Sequence, residues 1–320
     1  VVHAPDSWYT WIEADRIKNS YDPAALRESF AQAVEEGKQE MALFTHFMLY
    51  LSERNRQTKE MRVTQLKEAG LFPYTEFENY ITSPLESVYV DLFKTYYEAG
   101  YESGINGLFN YLDDSDENRK LKYYVMSNFG DMYGNHYYAY LGSARLYRLF
   151  DIKENISLFD DRYVRRLFPL AFEDTVETYA KEFPAIEPLQ IYAVMKAESA
   201  FNHVAISSAG ATGLMQVMPA TGKGIARSLR MSTYDLKNPE HSIRFGFSYL
   251  NWLAKLYDGR FDEMLGGYNA GPGNMNKWRK RFGTEDRILF AEKVPFYETR
   301  HYMFKNQKFY IQYKTVYEKK

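Results

Sequence analysis

Apolar residues recur three and four positions apart along most of this chain, in helix-length runs that stop at Gly, Pro, Asp or Asn, and that spacing confines the fold to packed helices. The run DPAALRESFAQAVEEG opens on Asp22 as a cap, places Pro23 in the first turn and reaches a stop at Gly37. Comparable segments follow at 38–53, 56–69, 84–99, 101–112, 117–128 and 133–149, separated by short polar punctuation. Their lengths predict antiparallel helix pairs. No fixed period links them, so an irregular helical solenoid is expected rather than a regular tetratricopeptide array. Period-two alternation joined by Asn-Gly or Asp-Gly turns, the mark of paired strands, is absent. The expected fold class is all-α.

From about residue 160 the character changes, and Gly, Asn and Pro concentrate in SSAGATG, ATGKG, KNPEH and GGYNAGPGN. Loops of that kind carry chemistry rather than merely joining helices. A boundary near Asp160 divides the chain into residues 1–160, the solenoid-like part, and 161–320, the part that holds the site. At 45% apolar residues, both have enough for a core.

Forty Lys and Arg against 42 Asp and Glu leave a net charge of -2, so no basic surplus marks a nucleic-acid or anionic-membrane partner. The absence of cysteine removes disulfides, thiolate catalysis and cysteine-held metals together. The six histidines form no H-E-x-x-H, so neither metal nor cofactor is expected. No apolar stretch has the length of a membrane span, and the start, VVHAPDSW, has neither an initiator Met nor a leader-like apolar run, as in a processed product. The chain carries 29 Tyr and 22 Phe, and Tyr combines a flat apolar face with a polar tip, which suits carbohydrate as well as helix contacts.

The segment EPLQIYAVMKAESAF reads as a core helix with Glu198 at its C-terminal end. There the helix dipole is negative and the surroundings apolar, and both oppose ionisation of a carboxyl group. A carboxyl that keeps its proton near neutral pH is what a general acid for a glycosidic oxygen requires. The following SSAGATGLMQ supplies Ser207, Ser208, Gly210 and Gly213, which let backbone approach a ligand; GGYNAGPGNMNKW sets Tyr268 and Asn269 just before a Gly-Pro-Gly turn; VPFYETRHYMF starts a helix at Pro295 with Glu298 and Arg300 in its first turns and Tyr302 beyond.

Four ordered motifs, E-S followed by S-x-x-G-A, then G-L-M-Q-x-x-P, Y-N-A-G-P-G and P-F-x-E-T-R-x-Y, closely resemble the catalytic domain of the soluble lytic transglycosylases, the goose-lysozyme-like glycosidases of the glycoside hydrolase family 23 type that cleave bacterial peptidoglycan. The resemblance covers residues 163–313. It implies a lysozyme-like α-helical catalytic domain, with Glu198 as the single acid/base. It further implies Tyr268 as the tyrosine whose hydroxyl bonds that carboxyl, Asn269 beside it, and Glu298 as a supporting glutamate. Ser207 would contact the muramyl sugar, Gln216 and Met218 would line the sugar cleft, and Tyr249 would wall it. Three positions depart from the pattern: His203 stands where proline is common, Ser242 where asparagine is usual, and Gly267 where alanine precedes the tyrosine. The first part of the chain resembles the family's helical superhelix in character only.

The resemblance implies peptidoglycan glycan strands as substrate, a bacterial envelope location that is periplasmic in a Gram-negative cell with a signal peptide removed, and non-hydrolytic cleavage of the N-acetylmuramic acid to N-acetylglucosamine bond with a 1,6-anhydro product. Two alternatives stand beside it. One is a hydrolytic muramidase on the same fold, for which Asp258, Asp262 or Glu263 would supply a second carboxylate. The other is a non-catalytic glycan-binding scaffold of the envelope. The basic run Lys277, Arg279, Lys280 and Arg281 reads as a solvated helix face.

Overall fold

The computed structural model describes residues 8–53, 55–82, 88–112, 115–152 and 156–318. Among them are eighteen α-helices and no strand, which makes the chain all-α. It divides into two compact units, residues 1–169 with 315–320, and residues 170–314. None of the helices described is long and apolar enough to cross a membrane.

The first unit holds α1 (Trp8–Ile17), α2 (Pro23–Glu35), α3 (Gln39–Glu53), α4 (Arg56–Glu68), α5 (Thr75–Thr82), α6 (Val88–Glu98), α7 (Glu102–Tyr111), α8 (Asp116–Met132), α9 (His136–Leu149) and α10 (Asp161–Leu167). Helices pack chiefly on chain neighbours, α2 on α3, α6 on α7, α8 on α9 and α9 on α10, the pattern of an irregular solenoid. Asp22 and Asn55 cap α2 and α4 by accepting from Ala24 and Thr58 backbone N–H groups. Of the segment expected to be helical at 84–99, the structure describes 88–98 as α6, and residues 84–87 lie outside the described residues.

Small residues set the closest crossing in this unit. A Cβ on Gly130 would lie 2.3 Å from the Ala139 nitrogen and one on Gly142 2.4 Å from the Ser127 nitrogen, so α8 and α9 meet backbone to backbone. Ser127 and Ser143, fully buried, share a hydrogen bond of 2.7 Å across the same crossing. Elsewhere aromatic rings fill the core: Phe77 meets Tyr147, Phe150, Phe159 and Tyr163, all with centroids between 5.2 and 5.4 Å. His46 on α3 is fully buried, its Nε2 3.1 Å from the Ser157 carbonyl oxygen. Burial, reinforced by the positive charge of Arg62, pushes its pKa down to about 3.

The second unit holds α11 (Glu173–Glu182), α12 (Pro188–Ser199), α13 (Pro219–Ser228), α14 (Pro239–Leu256), α15 (Phe261–Ala270), α16 (Pro272–Phe282), α17 (Arg287–Lys293) and most of α18 (Tyr297–Tyr317). Between α12 and α13 the chain forms a compact loop with two isolated antiparallel bridges, Ile206 to Thr212 and Thr212 to Val217. Pro begins α12, α13, α14 and α16, where its missing N–H is one no helix would use.

Candidate active site

Helix α12 is buried nearly all round, with Ile191, Ala193, Val194 and Met195 fully enclosed, so its position is fixed by packing on every side. It starts on Pro188, and Gln190 Oε1 accepts from the Glu187 N–H at 3.1 Å. It ends abruptly: Ala200 and Phe201 take φ of 53° and 69°, two successive non-glycine residues in the left-handed region. Each costs about 1–2 kcal/mol, and such strain persists only where the surroundings enforce it, here with the Phe201 side chain 2% exposed. Glu198 therefore sits in the last turn of a rigid helix, beside a strained exit.

The carboxyl of Glu198 accepts a hydrogen bond of 2.6 Å from the Tyr302 hydroxyl on α18. Burial pushes its pKa up to about 7; the Tyr302 hydrogen bond and the charge of Lys305 pull the other way, and the negative charge of Glu298 adds to the rise. The Lys305 ammonium itself donates to the Ala197 carbonyl at 3.2 Å, at the negative end of α12. A carboxyl poised near neutrality can give a proton and, once ionised, take one back.

Tyr268 was expected to bond this carboxyl, and its hydroxyl instead donates to the Met215 carbonyl at 2.7 Å. The bond to Glu198 is occupied by Tyr302, which α18 brings in one helical turn beyond Glu298. Tyr268 still lies in the field of Glu198: after burial, that negative charge is the next cause holding its phenol well above the usual tyrosine range. The two phenols and the carboxyl thus form one cluster: burial, the Glu198 charge and then Tyr268 hold the Tyr302 phenol well above the usual tyrosine range. Tyr302 was visible in the sequence only as the end of P-F-x-E-T-R-x-Y; the i, i+4 relation to Glu298 is the signal that puts both on one helix face.

The loop after α12 is tied by its own side chains. Ser207 accepts at Oγ from the Ala211 N–H at 3.0 Å and donates its backbone N–H to the Ala211 carbonyl at 2.9 Å, so its hydroxyl is engaged within its own turn. Gln216, left-handed at φ 44°, donates through Nε2 to the carbonyls of Ala205 at 3.2 Å and Gly213 at 2.9 Å. Its amide nitrogen is a tether for the loop, where the resemblance implied a sugar-lining group. Met218 is 42% exposed at the cap of α13. At Gly213, with φ 80°, an added Cβ would lie 1.8 Å from the Leu236 carbonyl oxygen, which leaves no room for a side chain.

All three departures from the motif pattern have structural partners. Ser242, fully buried, accepts at Oγ from the Met215 N–H at 3.2 Å and so fixes the residue whose carbonyl holds Tyr268. At Gly267 a Cβ would lie 2.7 Å from the ring of Tyr257, so the larger neighbour replaces the missing methyl group. His203 is exposed and its Nδ1 lies 3.1 Å from the Lys237 carbonyl oxygen.

Asn269 accepts at Oδ1 from Thr299 Oγ1 at 2.6 Å, linking the end of α15 to the start of α18, where Glu298 is exposed to solvent. Tyr249 on α14 packs against Tyr268 with centroids 5.3 Å apart, and against Trp252. Glu198, Tyr268, Glu298 and Tyr249 are therefore brought together, whereas Ser207, Gln216 and Asn269 are engaged with neighbouring protein groups. Asp262 and Glu263, available in the sequence as a second carboxylate, are almost fully buried in ion pairs: Asp262 with Arg287 at 2.6 Å, Glu263 with Arg260 at 2.9 Å and Arg279 at 2.6 Å. Arg279 of the basic run is thereby a structural partner.

Residues 176–290 match the family model described as transglycosylase SLT domain. The soluble lytic murein transglycosylase of Escherichia coli (strain K12) is 34% identical over 148 residues, 44% of this chain and 22% of that protein. Its Salmonella typhimurium counterpart is 33% identical over 146 residues, with the same shares. The chain thus spans about a fifth of the length of these curated relatives. Among solved structures, the 70 kDa soluble lytic transglycosylase of Escherichia coli aligns with a TM-score of 0.61 at 18% identity, over 96% of this chain and 53% of that one. The same protein in complex with bulgecin A gives 0.59 at 19% identity. At such identity the likeness concerns the fold.

Proposed function

We propose, from the premise that residues 176–290 are a transglycosylase SLT domain, that this chain is a peptidoglycan lytic transglycosylase. Glu198 is its acid and base. The observation that carries this reading is the Glu198 carboxyl, held near neutrality at about 7 by burial and gripped by the Tyr302 hydroxyl at 2.6 Å.

In the reaction, protonated Glu198 gives its proton to the oxygen joining N-acetylmuramic acid to N-acetylglucosamine. The C1–O bond breaks and the N-acetylglucosamine leaves with a free 4-hydroxyl. The substrate's acetamido group stabilises the developing cation. Ionised Glu198 then takes the proton of the muramyl C6 hydroxyl as O6 bonds to C1, which closes the 1,6-anhydro ring and restores the acid. No water is consumed, and a hydroxyl already held on the same sugar has a large effective concentration over solvent. Hydrolysis in the usual manner calls for two carboxylates; of the three candidates, Asp262 and Glu263 are engaged in arginine pairs and Asp258 is exposed on the turn after α14, which supports the single-carboxylate route. Glu298 supports the site by its charge, which favours the protonated acid. Met218 and Tyr249 form the sugar-facing side in this reading, Ser207, whose hydroxyl accepts within its own turn, keeps its proton for the muramyl sugar, and Gln216 holds the loop beside them. A murein substrate places the protein in the bacterial envelope, in the periplasm of a Gram-negative cell.

Mass spectrometry of the fragments released from purified sacculi tests the reaction. The anhydro fragments are lighter by one water than their hydrolytic counterparts. Glu198→Gln is expected to lower turnover at least about a thousandfold while glycan binding is retained. Release of reducing-end fragments by the parent enzyme would favour the muramidase, and absence of any release would favour the scaffold.

A further inference from the structure

Helix α14 has more apolar surface than its core needs. Its inner face is complete, with Ile243, Phe245, Phe247, Leu250 and Leu253 fully buried. Trp252, on the other side, is left 46% exposed, whereas Trp11 and Trp278 are 0% and 7% exposed. Half-exposing an indole forgoes burial that stability alone would favour. Its surroundings are ordered: Trp252 stacks on Tyr249 with centroids 5.7 Å apart and planes 18° from parallel, and Tyr249 in turn packs on Tyr268 at 5.3 Å. Tyr268 lies within the field of Glu198. Two phenols and the indole therefore form one aromatic row whose Tyr268 end lies in the field of the acid, and Tyr249 covers one face of the indole.

We infer that Trp252 is a substrate-binding residue whose uncovered face stacks on a sugar of the glycan strand some way along from the bond that Glu198 cleaves, an inference that rests on the reading of the site as a glycan cleft. The occupant is a β-1,4-linked N-acetylhexosamine. With its ring substituents equatorial, that sugar presents axial C–H bonds as a flat apolar face, which fits an aromatic plane, while its hydroxyl and acetamido edges stay in water. A peptide stem offers no such repeated flat face. Because Trp252 lies away from the reacting atoms, its contribution is to binding of ground state and transition state alike.

The test uses the whole chain and an oligosaccharide of β-1,4-linked N-acetylglucosamine as probe. In the Glu198→Gln background, saturation is expected to shift tryptophan emission to the blue and reduce acrylamide quenching. Adding Trp252→Phe should remove most of that change while largely keeping affinity. In turnover assays on sacculi, Trp252→Ala should raise KM about tenfold with kcat within about twofold. Should Trp252→Ala fail to fold, the emission and quenching of Glu198→Gln with and without Trp252→Phe decide the matter. The inference is overturned if the spectral change survives loss of the indole, if KM moves less than twofold in folded Trp252→Ala, or if a free stem peptide reproduces the change and the oligosaccharide does not. A parent enzyme that releases no anhydro fragments would remove the proposed reaction while leaving the binding measurement to stand by itself.

Discussion

Glu198 is a carboxyl whose environment has been set by two opposed influences, and the larger is burial. The Tyr302 hydroxyl stabilises the ionised form, so it restrains a rise that would otherwise go further. Removing it has a definite sign: Tyr302→Phe should raise the Glu198 pKa above about 7. Activity that needs the protonated acid falls as pH climbs through that value, so the alkaline limb of the kcat profile should move to higher pH in Tyr302→Phe, with a lower maximum because ionised Glu198 becomes a less settled species. Tyr268→Phe frees the Met215 carbonyl and leaves the Tyr302 bond in place, so it should shift that limb less. An equal shift in both variants, or none in Tyr302→Phe, would contradict the assignment of the short bond. The placement of the Glu198 carboxyl was legible in the sequence, at the end of an apolar helix ahead of a glycine-rich loop. Its true phenolic partner was not, because two tyrosines in two motifs satisfy the same pattern and only the path of α18 decides between them.

At the scale of elements, the α12 exit and the loop that follows hold the site's shape through backbone geometry. Gly213→Ala would force a methyl group into the Leu236 carbonyl at a φ that L-residues avoid, and it should destabilise the second unit by at least about 3 kcal/mol. Ala200→Gly at φ 53° relieves a left-handed residue and should stabilise by about 1 kcal/mol. Urea midpoints of both variants against the parent check the pair, and a change of the same sign in both would contradict the account. Most helices were legible from period and caps, as with α4, expected at 56–69 and found as Arg56–Glu68. Helices α1 and α5 were not anticipated. At eight residues, α5 is too short for a period to emerge, and it is held by tertiary contacts: Phe77 gripped by four other rings, and Tyr80 packed against Tyr124 and Phe150. The Gln216 tether was hidden for a related reason: a glutamine in a glycine-rich loop gives no sign whether its amide faces ligand or backbone.

At the scale of the whole molecule, the two units answer to pH in different ways. His46, buried and neutral with a pKa of about 3 against 6.5 for an ordinary histidine, binds a proton more readily when unfolded. Its contribution to the first unit is therefore complete above about 6.5 and is lost progressively as pH falls toward 3. At about 1.4 kcal/mol per pH unit, the loss from this residue reaches about 2 kcal/mol at pH 5. Protection factors in α3, which divide out the intrinsic slowing of exchange at lower pH, should fall over that interval, and His46→Gln should flatten the dependence; an unchanged slope would remove His46 as its source. In the second unit, by contrast, the proposed reaction needs Glu198 protonated, so activity should fall above neutrality. With the proposed reaction, a working window that narrows on the acid side by stability and on the alkaline side by chemistry is expected from these two groups with opposite displacements.

Met215 lies fully enclosed, with its amide fixed by Ser242, its carbonyl by Tyr268, and its thioether packed where Gly246 leaves space. One methyl group thus senses the floor beneath the loop and, through a single oxygen, the Tyr268 phenol that lies in the field of the acid. An isotope-labelled methyl at this position is a built-in reporter: its resonance should move when a saccharide draws Tyr268 away, before any bond is cut.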